Sequence, residues 1–302
     1  MSSIQQIIFR GDQACHQRRD GRFPYIDHAA AAGATGVLIW FWGEPFKALA
    51  IEFIAYCKAR NMGVHLGIGI GAYDVCDGQD PLDPVVMRQV QTHIERTLND
   101  YDLAGVEFQT GEYDLVEFKG ERVGSRSHAQ QICDALNPYV EHVLALKPSL
   151  WVRTELNAEF CPENQLPEVA ALLDPRCTVE WSRFTGPYQG GDCHVRGRKL
   201  LELDPHFSWF LKLVFRRDHH WKEIIPNLAP ERASLWIEHW RGWVRLLDEY
   251  GRTTLTICNV DDAYPDAPGP LPAAAVALAR DPDLPANEVL LRYFEENNGL
   301  GA

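Results

Sequence analysis

Several absences narrow this chain before any motif is read. No apolar run reaches the roughly 18 residues that a membrane-spanning helix needs. The opening MSSIQQIIFRGDQ has no basic stretch leading into an apolar one, so neither a transmembrane segment nor a signal peptide is expected. Eight cysteines are present (Cys15, Cys57, Cys76, Cys133, Cys161, Cys177, Cys193 and Cys258), yet none forms a CxxC pair. They read as reduced thiols of a cytoplasmic protein, not as a disulfide framework. Positive charge is scarce: 29 Lys and Arg stand against 42 Asp and Glu, for a formal net charge of −13. That disfavours nucleic acid and anionic membranes as partners, since both call for basic patches. A small molecule or an oligosaccharide is the expected partner, and a homo-oligomer stays open. No GxGxxG follows the first strand pattern and no GxxxxGK[ST] occurs, so the usual nucleotide-binding loops are missing. Neither HxH nor HExxH occurs, and no cofactor or metal is expected.

What is there is an alternation. Across 302 residues, 46% apolar and 24% charged, strand-like runs at 7–9, 37–41, 64–70, 150–156, 177–181, 207–215 and 253–258 take turns with helical patterns. A further strand opens at Gly105. Helices are expected at 23–33, 45–61, 84–100, 127–147, 167–173, near 197–203, over 221–250 with a break near 226–230, and from 272 onward. Proline opens several of these and glycine closes others, as the stereochemistry of helix ends favours. No change of composition marks a linker. Eight strand–helix units in one chain of this length predict an α/β fold, a single (β/α)8 TIM barrel spanning 1–302, with closing helices at the C-terminus. An open doubly wound sheet is the alternative.

In such barrels the chemistry sits at the C-terminal ends of the strands. The stretch GVEFQTGEYD is the most informative. Glu107 and Gln109 share one strand face because side chains alternate with period two, and Glu112 follows in a glycine turn. Burying a carboxylate without a partner is costly, so this face is expected to look into a wet cavity, with a salt-bridged strand end as the alternative. Arg153, Glu155 and Asn157 likewise share a face, and Glu180 stands in CTVEW, where an ion pair with Arg153 or Arg183 is the structural alternative. A purely structural polar network inside the barrel is the alternative for the whole Arg153 face. Paired carboxylates on neighbouring strands are what glycoside hydrolysis requires, one protonated and one ionised. The expected catalytic set is Glu112, Glu155, Glu180 and Glu107. Trp40, Trp42, Tyr73 and Trp181 would offer flat faces to sugar rings, and Gln109 and Asn157 would meet substrate polar groups. Arg153, Arg183, Lys212 and Arg216 would either pair with the glutamates or read the carboxylate of an acidic sugar, because guanidinium forks suit carboxylates.

By these residues the chain resembles the barrel glycoside hydrolases. GVEFQTGEYD is distantly similar to the segment of microbial alpha-glucuronidases that carries the general acid after a glycine-led strand. The resemblance implies that Glu112 is the acid, with Glu155 and Glu180 as the carboxylates of two neighbouring strands that act as base. The extra domains that alpha-glucuronidases carry are missing here, and the adjacent Asp-Glu pair of beta-hexosaminidase barrels is not found at the fourth strand. Two other functions remain open. In a metal-dependent sugar isomerase, epimerase or lyase, Glu107, Glu155, Glu180 and His219 would hold a divalent ion. A non-catalytic sugar-binding barrel is the third. His65, early in its strand beside glycines, reads as a core histidine.

Overall fold

The computed structural model describes residues 4–11, 18–40, 44–70, 82–109, 127–157, 163–184, 198, 201–202, 207–213, 230–259, 270–289 and 291; at Gly11, Trp40, 44–47, Gln109, His128, Asn157, Glu163, 181–184, 207–213, 230–236, 258–259 and 270–273 it describes the backbone alone. Eight strands lie in chain order: β1 Gln6–Gly11, β2 Gly36–Trp40, β3 Gly63–Gly69, β4 Gly105–Gln109, β5 Trp151–Asn157, β6 Cys177–Phe184, β7 Phe207–Leu213 and β8 Thr254–Asn259. They close into one barrel in sequential order, and every neighbouring pair is parallel. The helices are α1 Pro24–Ala31, α2 Glu44–Lys58, α3 Pro84–Asp100, α4 His128–Leu146, α5 Leu166–Leu172, α6 Pro230–Glu249 and α7 Pro270–Arg280. The single barrel expected from the alternation is the fold found. The expected helical stretch 221–229 lies outside the described residues, so α6 begins at Pro230.

Helix ends follow from local chemistry. At the start of α3, Asp83 accepts a hydrogen bond from the Val85 amide at 2.7 Å and Pro84 occupies the first turn. Both features satisfy or remove backbone donors that would otherwise be orphaned. Ser127 does the same for α4 through the Gln130 amide at 3.0 Å. Val86, Val90, Ile94 and Leu98 recur every four residues and form the buried stripe of α3.

Strand alternation separates two interiors. Outward-pointing residues such as Phe9, Val37, Leu66, Val106, Phe108, Val152, Val179 and Ile257 join the inner faces of the helices in one continuous apolar cluster. Ile8 and Leu38, equally buried, are not part of that cluster. They point the other way, into the barrel lumen, where the other buried side chains among the described residues include His65, Glu107, Arg153, Glu155, Glu180 and Thr256.

The floor of the lumen is fitted around His65. Its ring meets Trp151 edge-on at 5.3 Å between centroids, and the Trp151 indole donates to the Thr178 hydroxyl at 3.0 Å. Gly105 on β4 leaves room for this ring. A methyl group there would come within 2.5 Å of His65 Nδ1 and 2.6 Å of the Trp151 carbonyl oxygen. The second neighbour is backbone and cannot swing aside. We expect Gly105→Ala to lower folding stability by about 1–3 kcal/mol, the usual cost of overpacking, measured by chemical denaturation. A Gly105→Ala protein as stable as wild type would show that the strand edge yields where this packing says it cannot.

Candidate functional site

Arginines from opposite walls cross the lumen. Arg10 lies near the C-terminal end of β1 and Arg153 lies on β5, four strands away around the closed ring of eight. Arg153 stands over the floor, its guanidinium carbon 4.8 Å from the Trp151 ring centre. From there Nε lies 3.1 Å from Glu107 Oε2, and Nη1 lies 3.4 Å from Glu180 Oε1. Nη1 also donates to the Thr256 hydroxyl at 3.1 Å, and that hydroxyl donates to Glu180 Oε1 at 2.6 Å. Strands β4, β5, β6 and β8 are thus joined through one side chain. Two residues further along β5, Glu155 accepts a hydrogen bond from Arg10 Nη1, and the same nitrogen lies 3.9 Å from Glu107 Oε1. The Arg10 side chain retains 11% of its exposure, whereas those of Arg153, Glu107 and Glu180 retain none. The polar interior is therefore layered. Glu107, Arg153, Glu180 and Thr256 form a closed lower level, and Arg10 with Glu155 lies above it, towards the C-terminal mouth.

The structure places the expected residues unequally. Glu107, Glu155 and Glu180 do come together, and the ion pair between Arg153 and Glu180 named as a structural alternative is present. For Glu107 the salt-bridged alternative is the one found: two guanidiniums cover it and its exposure is zero. For Arg153, too, pairing with the glutamates is found instead of a free guanidinium for substrate: it is enclosed and faces Glu107, Glu180 and Thr256. Trp40, Gln109, Asn157, Trp181, Arg183 and Lys212 have strand backbones near the mouth, and nothing is described of their side chains. Glu112, Trp42, Tyr73, Arg216 and His219 lie outside the described residues. Two participants were missed in the sequence. Arg10 flanks a three-residue apolar run and reads as a strand end, although its spacing of two from Ile8 puts it on the lumen face. Thr256 in TTLTIC reads as ordinary strand propensity, and no local signal singles it out.

The electrostatics follow from enclosure. Burial pushes the Glu107 carboxyl up to about 8; Arg153 and Arg10 oppose the rise, and the charges of Glu180 and Glu155 add to it. Glu180 is also raised by burial, against the pull of Arg153 and the Thr256 hydrogen bond. Burial, helped by the Arg153 charge, holds the His65 imidazole well below its usual range, so the floor carries no charge there. As metal ligands the carboxylates fit poorly, because guanidiniums stand among them. Among the described residues no group of three His, Cys, Asp or Glu side chains is placed to hold an ion. The isomerase arrangement of Glu107, Glu155, Glu180 and His219 gains no support from this geometry.

These contacts set two expectations. Arg153→Met leaves buried Glu180 without its cation and Glu107 without the nearer of its two, and we expect a loss of about 3–5 kcal/mol of stability in denaturant titrations; a loss below about 1 kcal/mol would mean that the network is not held as described. The second concerns pH. The folded chain keeps a proton on Glu107 that the unfolded chain releases near the ordinary value of 4.5. Stability from this group is complete below that value and is lost as pH rises through about 8, at up to about 1.4 kcal/mol per pH unit. Glu107→Gln should flatten that part of the stability–pH curve. An equal slope in both proteins would assign it to other groups.

No family model matches the chain, and no curated protein matches it in sequence. Solved structures do. A GH10 endoxylanase retrieved from a sugarcane soil metagenome superposes with a TM-score of 0.60 at 9% identity, over 91% of this chain and 96% of that one. PbGH5A, a glycoside hydrolase family 5 enzyme from Prevotella bryantii B14, matches with a TM-score of 0.60 at 11% identity, over 93% and 97%. The spore cortex-lytic enzyme SleL of Bacillus cereus matches with a TM-score of 0.57 at 10% identity, over 92% and 75%. At such identities the likeness is one of fold: this chain is similar to (β/α)8 barrels over nearly its whole length.

Proposed function

We propose that this protein is a glycoside hydrolase whose reaction takes place at the C-terminal mouth of the barrel, above the Arg10–Glu155 pair. The observation that carries the reading is the place of Glu155. Its carboxylate lies in the lumen on the C-terminal half of β5, above a closed polar level, and Arg10 grips it from the opposite wall. A carboxylate fixed in this way suits an ionised base or nucleophile, one of the two carboxyl groups that glycoside hydrolysis needs. The barrels this chain resembles add support, since those named above include an endoxylanase and a family 5 glycoside hydrolase.

In this reading Glu112, three residues beyond the end of β4, is the general acid. Trp40, Trp42 and Tyr73 stack on sugar rings, and Gln109 and Asn157 meet hydroxyls. Glu107, Arg153 and Glu180 form the support beneath. Lys212 in β7 and Arg216, three residues beyond that strand, would favour a sugar that carries a carboxylate, so glycosides of uronic acids are the first substrates to assay. The separation of the Glu112 and Glu155 carboxyl groups sets the stereochemistry: roughly 5 Å leads to retention, and roughly 6.5–9.5 Å leaves room for a water and leads to inversion.

Once a hydrolysed glycoside is found, Glu155→Gln should lower kcat by at least about 10²-fold while the folded fraction stays the same. Glu112→Gln should stop turnover of glycosides with poor leaving groups and largely spare activated aryl glycosides, which need no proton on departure. Activity kept by Glu155→Gln would remove that residue from the chemistry. Binding of sugars by wild type without turnover would favour the sugar-binding barrel instead.

A further inference from the structure

Among the described side chains the lumen holds three carboxyl groups, Glu107, Glu155 and Glu180, and the guanidiniums of Arg10 and Arg153. His65 contributes no positive charge there. A carboxylate buried without a hydrogen-bond partner is costly, so a proton belongs on the carboxyl that lacks one. Geometry indicates which one holds it. Glu180 Oε1 accepts from Thr256 and Arg153, and Glu155 Oε2 accepts from Arg10. Neither oxygen of Glu107 accepts a hydrogen bond, although both are buried. Glu107 nevertheless lies between both cations, 3.1 Å from Arg153 Nε and 3.9 Å from Arg10 Nη1. That Arg10 nitrogen is also the one bonded to Glu155.

We propose that Glu107 is a positioning residue for Glu155 that acts through Arg10: while Glu107 keeps its proton Arg10 stays on Glu155, and when Glu107 releases the proton to solvent Arg10 is drawn down to Glu107. The proposal rests on the reading of Glu155 as the reacting carboxylate. Its physical basis is a competition for one nitrogen. A neutral Glu107 offers Arg10 only a dipole, whereas an ionised one offers a full charge in a medium where charges interact strongly. A movement of about 1 Å would bring Nη1 from 3.9 Å to hydrogen-bonding distance of Glu107 Oε1. The charged and titratable groups facing Glu107 among the described residues are Arg10 from β1, His65 from β3, Arg153 and Glu155 from β5, and Glu180 from β6. The upward displacement of Glu107 by burial, to about 8, places the exchange on the alkaline side of neutrality.

The test reads Arg10 directly. Crystal structures of the wild-type protein, from crystals equilibrated well below and well above the Glu107 midpoint of about 8, should show Nη1 on Glu155 in the first and within hydrogen-bonding distance of Glu107 in the second. Infrared difference spectra across the same range should show loss of a protonated-carboxyl C=O stretch, and that band should be absent from Glu107→Gln. Arg10 on Glu155 at both pH values, or no such band in wild type at neutral pH, would overturn the proposal, and neither measurement depends on Glu107→Gln folding. If a glycoside is hydrolysed, kcat/KM of wild type should fall with the same midpoint, and Glu107→Gln, which has no proton to release, should move that fall to higher pH. Failure to find any glycosidase activity would count against the proposed function alone, because the structures and spectra decide the Arg10 exchange without it.

Discussion

A guanidinium closed inside a barrel has to be compensated, and much of this lumen is arranged around that requirement. Arg153 has no exposed side-chain surface. Its charge is met by carboxylates from the strands on either side of its own and by a hydroxyl reached across the lumen on β8. For these groups to meet, the register of β4, β5 and β6 must bring Glu107 opposite Arg153 and Glu155 opposite Glu180, and it does. The opposite side of the lumen has a different composition. Gly36, Gly63, Gly67 and Gly69 line β2 and β3, and a methyl group on Gly36 would come within 3.1 Å of His65 Nε2.

Such an interior is not the most stable one available. Replacing a buried ion network by apolar residues of similar volume is often neutral or stabilising. The apolar cluster between strands and helices supplies the hydrophobic burial that holds the fold together. The lumen, freed from that task, holds charges in fixed places. Fixed charge in a water-poor site costs little reorganisation when a reaction develops charge of its own, which is the physical advantage of arginine arms anchored on strands over arms carried by loops.

The architecture was legible in the sequence because the signals behind it are local. Glycine and proline mark the ends of elements, Asp83–Pro84 announces α3 in its first two residues, and apolar runs of strand length alternate with stripes of period near four. The face of each strand was legible too, since period two puts Glu107 with Gln109 and Arg153 with Glu155 whatever lies around them. Depth was not legible. Whether a lumen residue is sealed below or reachable from the mouth depends on strand tilt and on the reach of side chains from the far wall, and neither is written in a neighbouring residue. Glu107 therefore read as facing water or salt-bridged, and Arg153 as meeting a substrate or pairing with the glutamates.

The same limit explains why Arg10 was passed over and why it matters. A sequence shows the partners a residue can have along its own strand and across one ladder, whereas Arg10 meets its partner from four strands away. A contact of that kind exists only once the barrel closes, so it couples closure to the site: β1 and β5 are held across the lumen by the group that orients Glu155. Loss of register between β1 and β8, which completes the ring, would displace Arg10 and disturb Glu155 without touching it. In this barrel the integrity of the last strand pairing and the setting of the candidate reacting carboxylate are one structural fact.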